Sequence, residues 1–90
     1  LSLMESCAIL QYLAEKYHSP LLPTGDSRWQ VLQWLFWQAG NLGPVFGNKL
    51  SYTRYLTDVP EIQRQHPLER FRLEARRLVK ILERQLEQNQ

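Results

Sequence analysis

Cysteine is nearly missing from this chain, and that scarcity removes several chemistries at once. One thiol, Cys7, in 90 residues forbids an intramolecular disulfide, which suits a reducing compartment. Two histidines, His18 and His66, flank prolines in expected loops, and no HxxxH or CxxC spacing is present, so no structural or catalytic metal is expected. Ser6 has no nearby base, which leaves out a Ser-His-Asp arrangement. Excess charge is also missing. A net charge of +2 is too small to imply a nucleic-acid partner. No apolar run approaches the roughly 20 residues that span a bilayer, and no charged leader precedes an apolar stretch, so no membrane partner is expected and the chain reads as soluble and unexported.

What is present describes a small helical protein. A hydrophobic content of 43% with three tryptophans is globular rather than disordered. Ninety residues make one domain at most, of marginal stability if it stands alone. No internal repeat is visible. Ile9 with Leu13, and Leu10 with Leu13 and Tyr17, repeat at helical spacing, predicting a first helix from about Ser6 to Tyr17 ended by His18-Ser19-Pro20. Leu21-Leu22-Pro23-Thr24-Gly25 follows as a short linker. Asp26 or Ser27 is expected to cap a second helix, in which Val31, Leu32, Trp34, Leu35, Phe36 and Trp37 cover most of the circumference. Gly40, Gly43, Pro44 and Gly47 then interrupt it, and a kink near Leu42 to Pro44 with continuation toward Tyr52 is expected. Gly40-Asn41-Leu42-Gly43 follows a helix and lacks GxGxxG, so it is no dinucleotide fingerprint. After a loop over Thr57 to Gln65, Pro67 is expected to open a third helix. Its apolar stripe is Leu68, Phe71, Ala75, Leu78, Leu82 and Leu86, and its other face mixes Arg70, Arg72, Arg76, Arg77, Lys80 and Arg84 with Glu69, Glu74, Glu83 and Glu87. Glu74 and Arg77, three apart, support that helix. The basic excess is too narrow, and too poor in aromatics, for an RNA surface.

The chemistry concentrates at Glu5-Ser6. Ser6 is a preferred N-cap type, and the first amides of a helix lack intrahelical partners at the positive end of its dipole. Those amides and the Ser6 hydroxyl suit a ligand carboxylate. Glu5 beside them suits an ammonium on the same ligand, which together describe an amino acid or a γ-glutamyl unit. The bland alternative is a helix cap and nothing more.

The run Leu3-Met4-Glu5-Ser6-Cys7-Ala8-Ile9-Leu10-Gln11-Tyr12-Leu13-Ala14-Glu15-Lys16-Tyr17 closely resembles the segment of cytosolic glutathione S-transferases in which a Glu-Ser or Asp-Ser pair holds the γ-glutamyl end of glutathione. Leu32-Gln33-Trp34-Leu35-Phe36-Trp37-Gln38 with Gly43-Pro44 resembles the first long helix of the all-helical domain in bacterial members, most like the Nu-class disulfide-reductase type. The two stretches stand in the family's order and at about its spacing.

That resemblance implies a fold and a set of roles. As present, the chain should be all-α, with three main helices, the second long and kinked, cut from a larger protein that joins an α/β thioredoxin-like half to an all-α half. Residues 1–20 would be the end of the thioredoxin-like, glutathione-binding domain, with Leu1-Ser2-Leu3 as a strand remnant. Residues 21–25 would be the interdomain linker, and residues 26–90 the start of the helical domain. Family members are over twice as long, and their thiol-activating residue lies in a part not found here, so the chain looks like an excerpt, without a catalytic residue and with little activity alone. Glu5, Ser6 and Arg77 would bind glutathione, Arg77 from Glu74-Ala75-Arg76-Arg77-Leu78 by gripping a carboxylate, with the partner subunit as one route. An exposed structural charge is the other reading of Arg77. Trp34, Trp37, Phe46 and Tyr52 would line or support the hydrophobic substrate side. The implied partners are glutathione as co-substrate, a hydrophobic electrophile or a disulfide, and a second subunit in a cytoplasmic homodimer. Relatives resembling this chain carry Gly or Ala at position 7, so Cys7 is expected to be structural. A reading from a different class is a helical interaction module without catalysis, which would use exposed apolar surface.

Overall fold

A computed structural model describes residues 1–89, with all side chains except that of Tyr55. The architecture is all-α, and no strand occurs among the described residues. The chain divides into two compact units, Leu1–Ala39 and the part from Gly40 on.

In the first unit, residues 1–4 take no regular structure and α1 spans Ser6–Lys16. Its N-cap is Glu5, not Ser6, which occupies the first helical position. Glu5 adopts φ 73° and ψ 113°, and its carbonyl accepts the amide of Ile9 at 3.0 Å. A capping hydroxyl acts from the residue before the helix, so Ser6, already inside it, makes no side-chain cap bond. At the other end Tyr17 is the C-cap and His18 turns left-handed with φ 53°. The Ser19 amide returns to the Ala14 carbonyl at 2.9 Å and that of His18 to Glu15 at 3.4 Å, the paired bonds of a Schellman motif.

Helix α2 covers Asp26–Trp37. Gly25 is its N-cap, with φ 73°, so the expectation that Asp26 or Ser27 caps it is off by one or two residues. A chain turning through a positive φ favours glycine at the boundary, which pushes Asp26 into the first turn, where its charge complements the dipole. The end of α1 is pinned to the start of α2 by an ion pair between Glu15 and Arg28. Leu32, 5% exposed, is the buried centre of this unit.

The helical path does not stop at Trp37. It widens into a π turn over Gln38–Leu42, resumes as α3 over Gly43–Leu50, and widens again over Ser51–Tyr55. Pro44 has no N–H to return to the carbonyl of Gly40 and its ring crowds that carbonyl, so a wider turn just before it relieves both problems. The long second helix expected from the sequence is therefore present, carried past Tyr52 to Tyr55.

Helix α4 spans Glu61–Gln88. It begins six residues before Pro67, which lies inside the helix, so the loop expected over Thr57 to Gln65 is confined to 56–60. Pro60 supplies the cap with φ −54° and ψ 140°, its carbonyl accepts Gln63 at 3.0 Å, and Glu61 lies in the first turn at the favourable end of the dipole. Pro60, at the N-cap, and not Pro67 therefore marks the start of this helix. The stripe of α4 packs on α3 and on the second π turn, with Ala75 at 5% and Leu78 at 0% exposure forming the core of the second unit.

Candidate functional site

The tip of α1 carries the two residues singled out by chemistry. Glu5 and Ser6 are adjacent and exposed, and the Glu5 side chain makes no cap bond to the helix behind it. Glu5 is held at a positive φ outside the left-handed helical well, a conformation that costs a non-glycine residue on the order of 1–3 kcal/mol. The amides that follow it open the helix, where the dipole is positive. An acid, a hydroxyl and electropositive amides therefore share one exposed corner. Next in the chain, Cys7 is half-buried, its Sγ 3.6 Å from Gln38 Oε1 and 3.9 Å from the Leu35 carbonyl, so the thiol faces the end of α2 and the residue after it.

Trp34 and Trp37 meet edge to face, with centroids 5.1 Å apart and planes at 77°, and with Gln33 they border a hollow of about 210 Å³. The Trp34 indole Nε1 is buried without a hydrogen-bond partner, an arrangement that costs about 1–3 kcal/mol. A second hollow in this unit, about 440 Å³, is apolar and lies between α1 and α2, bordered by Leu10, Leu13, Tyr17, Leu21, Val31 and Leu35.

In the second unit Arg77 is exposed and bound to Glu74, its Nε donating to Oε2 at 2.9 Å and its Nη2 donating to Oε1. This fork holds the Glu74 carboxyl below its ordinary value and raises the Arg77 guanidinium. Glu69 is held down in the same way by Arg72, three residues on. Arg77 borders an open hollow of about 780 Å³ together with Val45, His66, Arg70, Phe71 and Leu73. Phe46 borders a different one with Lys49, Leu50 and Arg54, whereas Tyr52 stacks on Phe71.

The structure thus keeps Glu5 and Ser6 on one exposed corner and sets Trp34 against Trp37, while Phe46 borders a hollow with Lys49, Leu50 and Arg54 and Tyr52 stacks on Phe71. Sequence reasoning names Arg70 and Arg77 but misses His66 beside them, because a helix that opens at Pro67 leaves His66 in a loop. Its spacing of four from Arg70 was the available signal once helix extends through Pro67. No group of three or more His, Cys, Asp or Glu able to hold a metal occurs among the described residues, and no helix there is long and apolar enough to cross a membrane.

No protein-family model matches the chain. It is similar to the disulfide-bond oxidoreductase YfcG of Escherichia coli, with 41% identity over 88 residues that cover 97% of this chain and 39% of that protein. A glutathione S-transferase domain-containing protein of Dictyostelium discoideum is 37% identical over 89 residues, covering 96% of this chain and 33% of the relative. The disulfide-bond oxidoreductase YghU of Escherichia coli is 35% identical over 88 residues, covering 94% and 28%. The chain therefore spans 39% or less of the length of these relatives.

Proposed function

Because the chain belongs to the glutathione S-transferase-like proteins, we propose that it is the central stretch of an enzyme that uses glutathione to conjugate an electrophile or to reduce a disulfide. The carrying observation is the corner at α1, where Glu5, Ser6 and the opening amides meet on an exposed tip. Glutathione's γ-glutamyl carboxylate accepts hydrogen bonds from those amides and from the Ser6 hydroxyl, and its ammonium faces Glu5. Holding that end fixes where the thiol sits, which is how positioning accelerates an attack made elsewhere on the molecule. The names of YfcG and YghU support the disulfide branch of the reading.

The remaining roles extend from that corner. Trp34 and Trp37, with Phe46 and Tyr52, support the apolar side on which the second substrate rests. Arg77 grips a glutathione carboxylate in one reading, and its fork to Glu74 supports the other, a charge that serves its own helix. The parent works as a homodimer in the cytoplasm, with residues 1–20 closing its thioredoxin-like domain, 21–25 linking and 26–90 opening the helical domain. This stretch alone turns over little substrate, because it supplies no residue to activate the thiol.

Retention of the full-length protein on immobilised glutathione tests the reading, and Ser6→Ala should abolish it. Equal retention of both proteins would sink it, and measurable turnover of a chromogenic aryl halide with glutathione by residues 1–90 alone would overturn the expected inactivity of this stretch. The apolar hollow between α1 and α2 favours a second reading, a helical interaction module without catalysis. Concentration-dependent association with no glutathione binding selects that one.

A further inference from the structure

We propose that the segment from Leu56 to His66 is a flap that opens as one body about Pro67 and so carries His66 into and out of the α3–α4 hollow. Helix α4 runs from Glu61 to Gln88 with Pro67 in its interior. Proline brings no N–H to the Gln63 carbonyl and its ring crowds that carbonyl, so the hydrogen-bonded ladder is weakest at one defined place. On the near side of that place nothing is buried: Ile62 is 79% exposed, Glu61, Gln63, Gln65 and His66 are exposed, and the first buried residue of the helix is Ala75. Local opening is drawn from segments with few buried apolar groups, and this one qualifies.

Two bonds make the segment a unit rather than a fraying end. Arg64 Nε donates to the Val59 carbonyl at 2.9 Å, tying the first turns of α4 to the turn before it, and the Val59 amide returns to Leu56 at 3.3 Å. The far end of the unit is anchored where the Leu56 amide meets the Ser51 carbonyl at 3.0 Å. His66 is the last residue before the hinge and borders the hollow of about 780 Å³ that Arg70, Phe71 and Arg77 also border. Opening removes the imidazole from that hollow and leaves the other side chains in place. The inference does not depend on what the α1 corner binds.

Amide relaxation dispersion on the full-length protein tests it, since motion of this kind falls on the microsecond to millisecond scale. The expected result is one shared exchange rate from Leu56 through His66 and none from Leu68 onward. Pro67→Ala restores the missing donor and should quench the exchange, while Arg64→Ala, which cuts the bond that makes the segment one body, should split the shared rate into rates that differ from residue to residue without touching Ala75 or Leu78. Absence of dispersion overturns the proposal. So does a rate that changes residue by residue from Glu61, as in simple fraying, or exchange that runs unbroken through Pro67 to Ala75.

Discussion

Tyr52 and Phe71 lie ring against ring, with centroids 5.8 Å apart and planes inclined by 18°. One comes from the second π turn and the other from the apolar stripe of α4, so this pair is the aromatic clasp of the second unit. Its strength comes from buried ring area and from the offset of two quadrupoles, not from the phenol. Tyr52→Phe should therefore leave stability within about 0.5 kcal/mol. Tyr52→Leu should cost about 1 kcal/mol more, read from urea midpoints of the full-length protein. A larger loss in the phenylalanine variant would assign the work to the hydroxyl.

Leu78 is fully buried while Leu86, eight residues on along the same stripe, is 60% exposed. Leu78→Ala should destabilise by about 2–5 kcal/mol, and Leu86→Ala by under about 0.5 kcal/mol. Equal effects would mean that the end of α4 is covered in the full-length protein.

His18 holds φ 53° to close the Schellman motif at the end of α1. A side chain in that region costs about 1 kcal/mol that glycine escapes, so His18→Gly should stabilise the protein by a similar amount. Thermal unfolding measures it, and a lowered midpoint would show that the imidazole contributes something the backbone account omits.

Glu5→Gln removes the charge proposed to face an ammonium while keeping the side chain's shape. Binding of glutathione should weaken about tenfold, the worth of one charge-assisted bond. A des-amino analogue of glutathione should bind both proteins equally. Loss of both ligands together would point to a collapsed α1 tip.

Glu15, Glu69 and Glu74 are each held below the ordinary glutamate value of 4.5, first by hydrogen bonds from Arg28, Arg72 and Arg77 respectively. A carboxyl depressed in the folded state contributes stability that is present above its unfolded value and is lost as pH falls through its folded one. The contribution of these three pairs should be constant above that ordinary value and decline as pH falls below it. No member of the three pairs is buried, so salt should shrink the decline. Carbon-detected titration of the three carboxyls checks the order of events.

Much of this structure was readable from residue spacing, and the misses share a cause. The three-and-four recurrence of Leu68, Phe71, Ala75 and Leu78 marks α4 because burial selects one face of a helix. The Glu74–Arg77 pair followed from the same geometry. Helix ends were read less well. Ser6, Asp26 and Pro67 each have the composition of a boundary, yet Glu5, Gly25 and Pro60 hold it. Which residue turns the chain depends on backbone angles, and Glu5 is an improbable residue at φ 73°, so no propensity could have selected it. The hollow at His66 and Arg70 was hidden by the same error, because a helix begun at Pro67 leaves His66 off its surface. Glu15 and Arg28 were each unremarkable until a short connection brought the end of one helix to the start of the next.

The wide turn at Ser51–Tyr55 holds one residue more than the α-helical path would, and nearby side chains ease its fit: Ser51 Oγ donates to the Gly47 carbonyl at 3.1 Å and Thr53 Oγ1 to that of Lys49 at 2.7 Å. Such a turn accommodates the extra residue without breaking the helix. Deleting one amino acid there should regularise the spiral but swing every later side chain of that helix by roughly a hundred degrees, taking Tyr52 off its partner ring. Kin of this protein that lack the extra position should accordingly have replaced the aromatic on the facing helix as well.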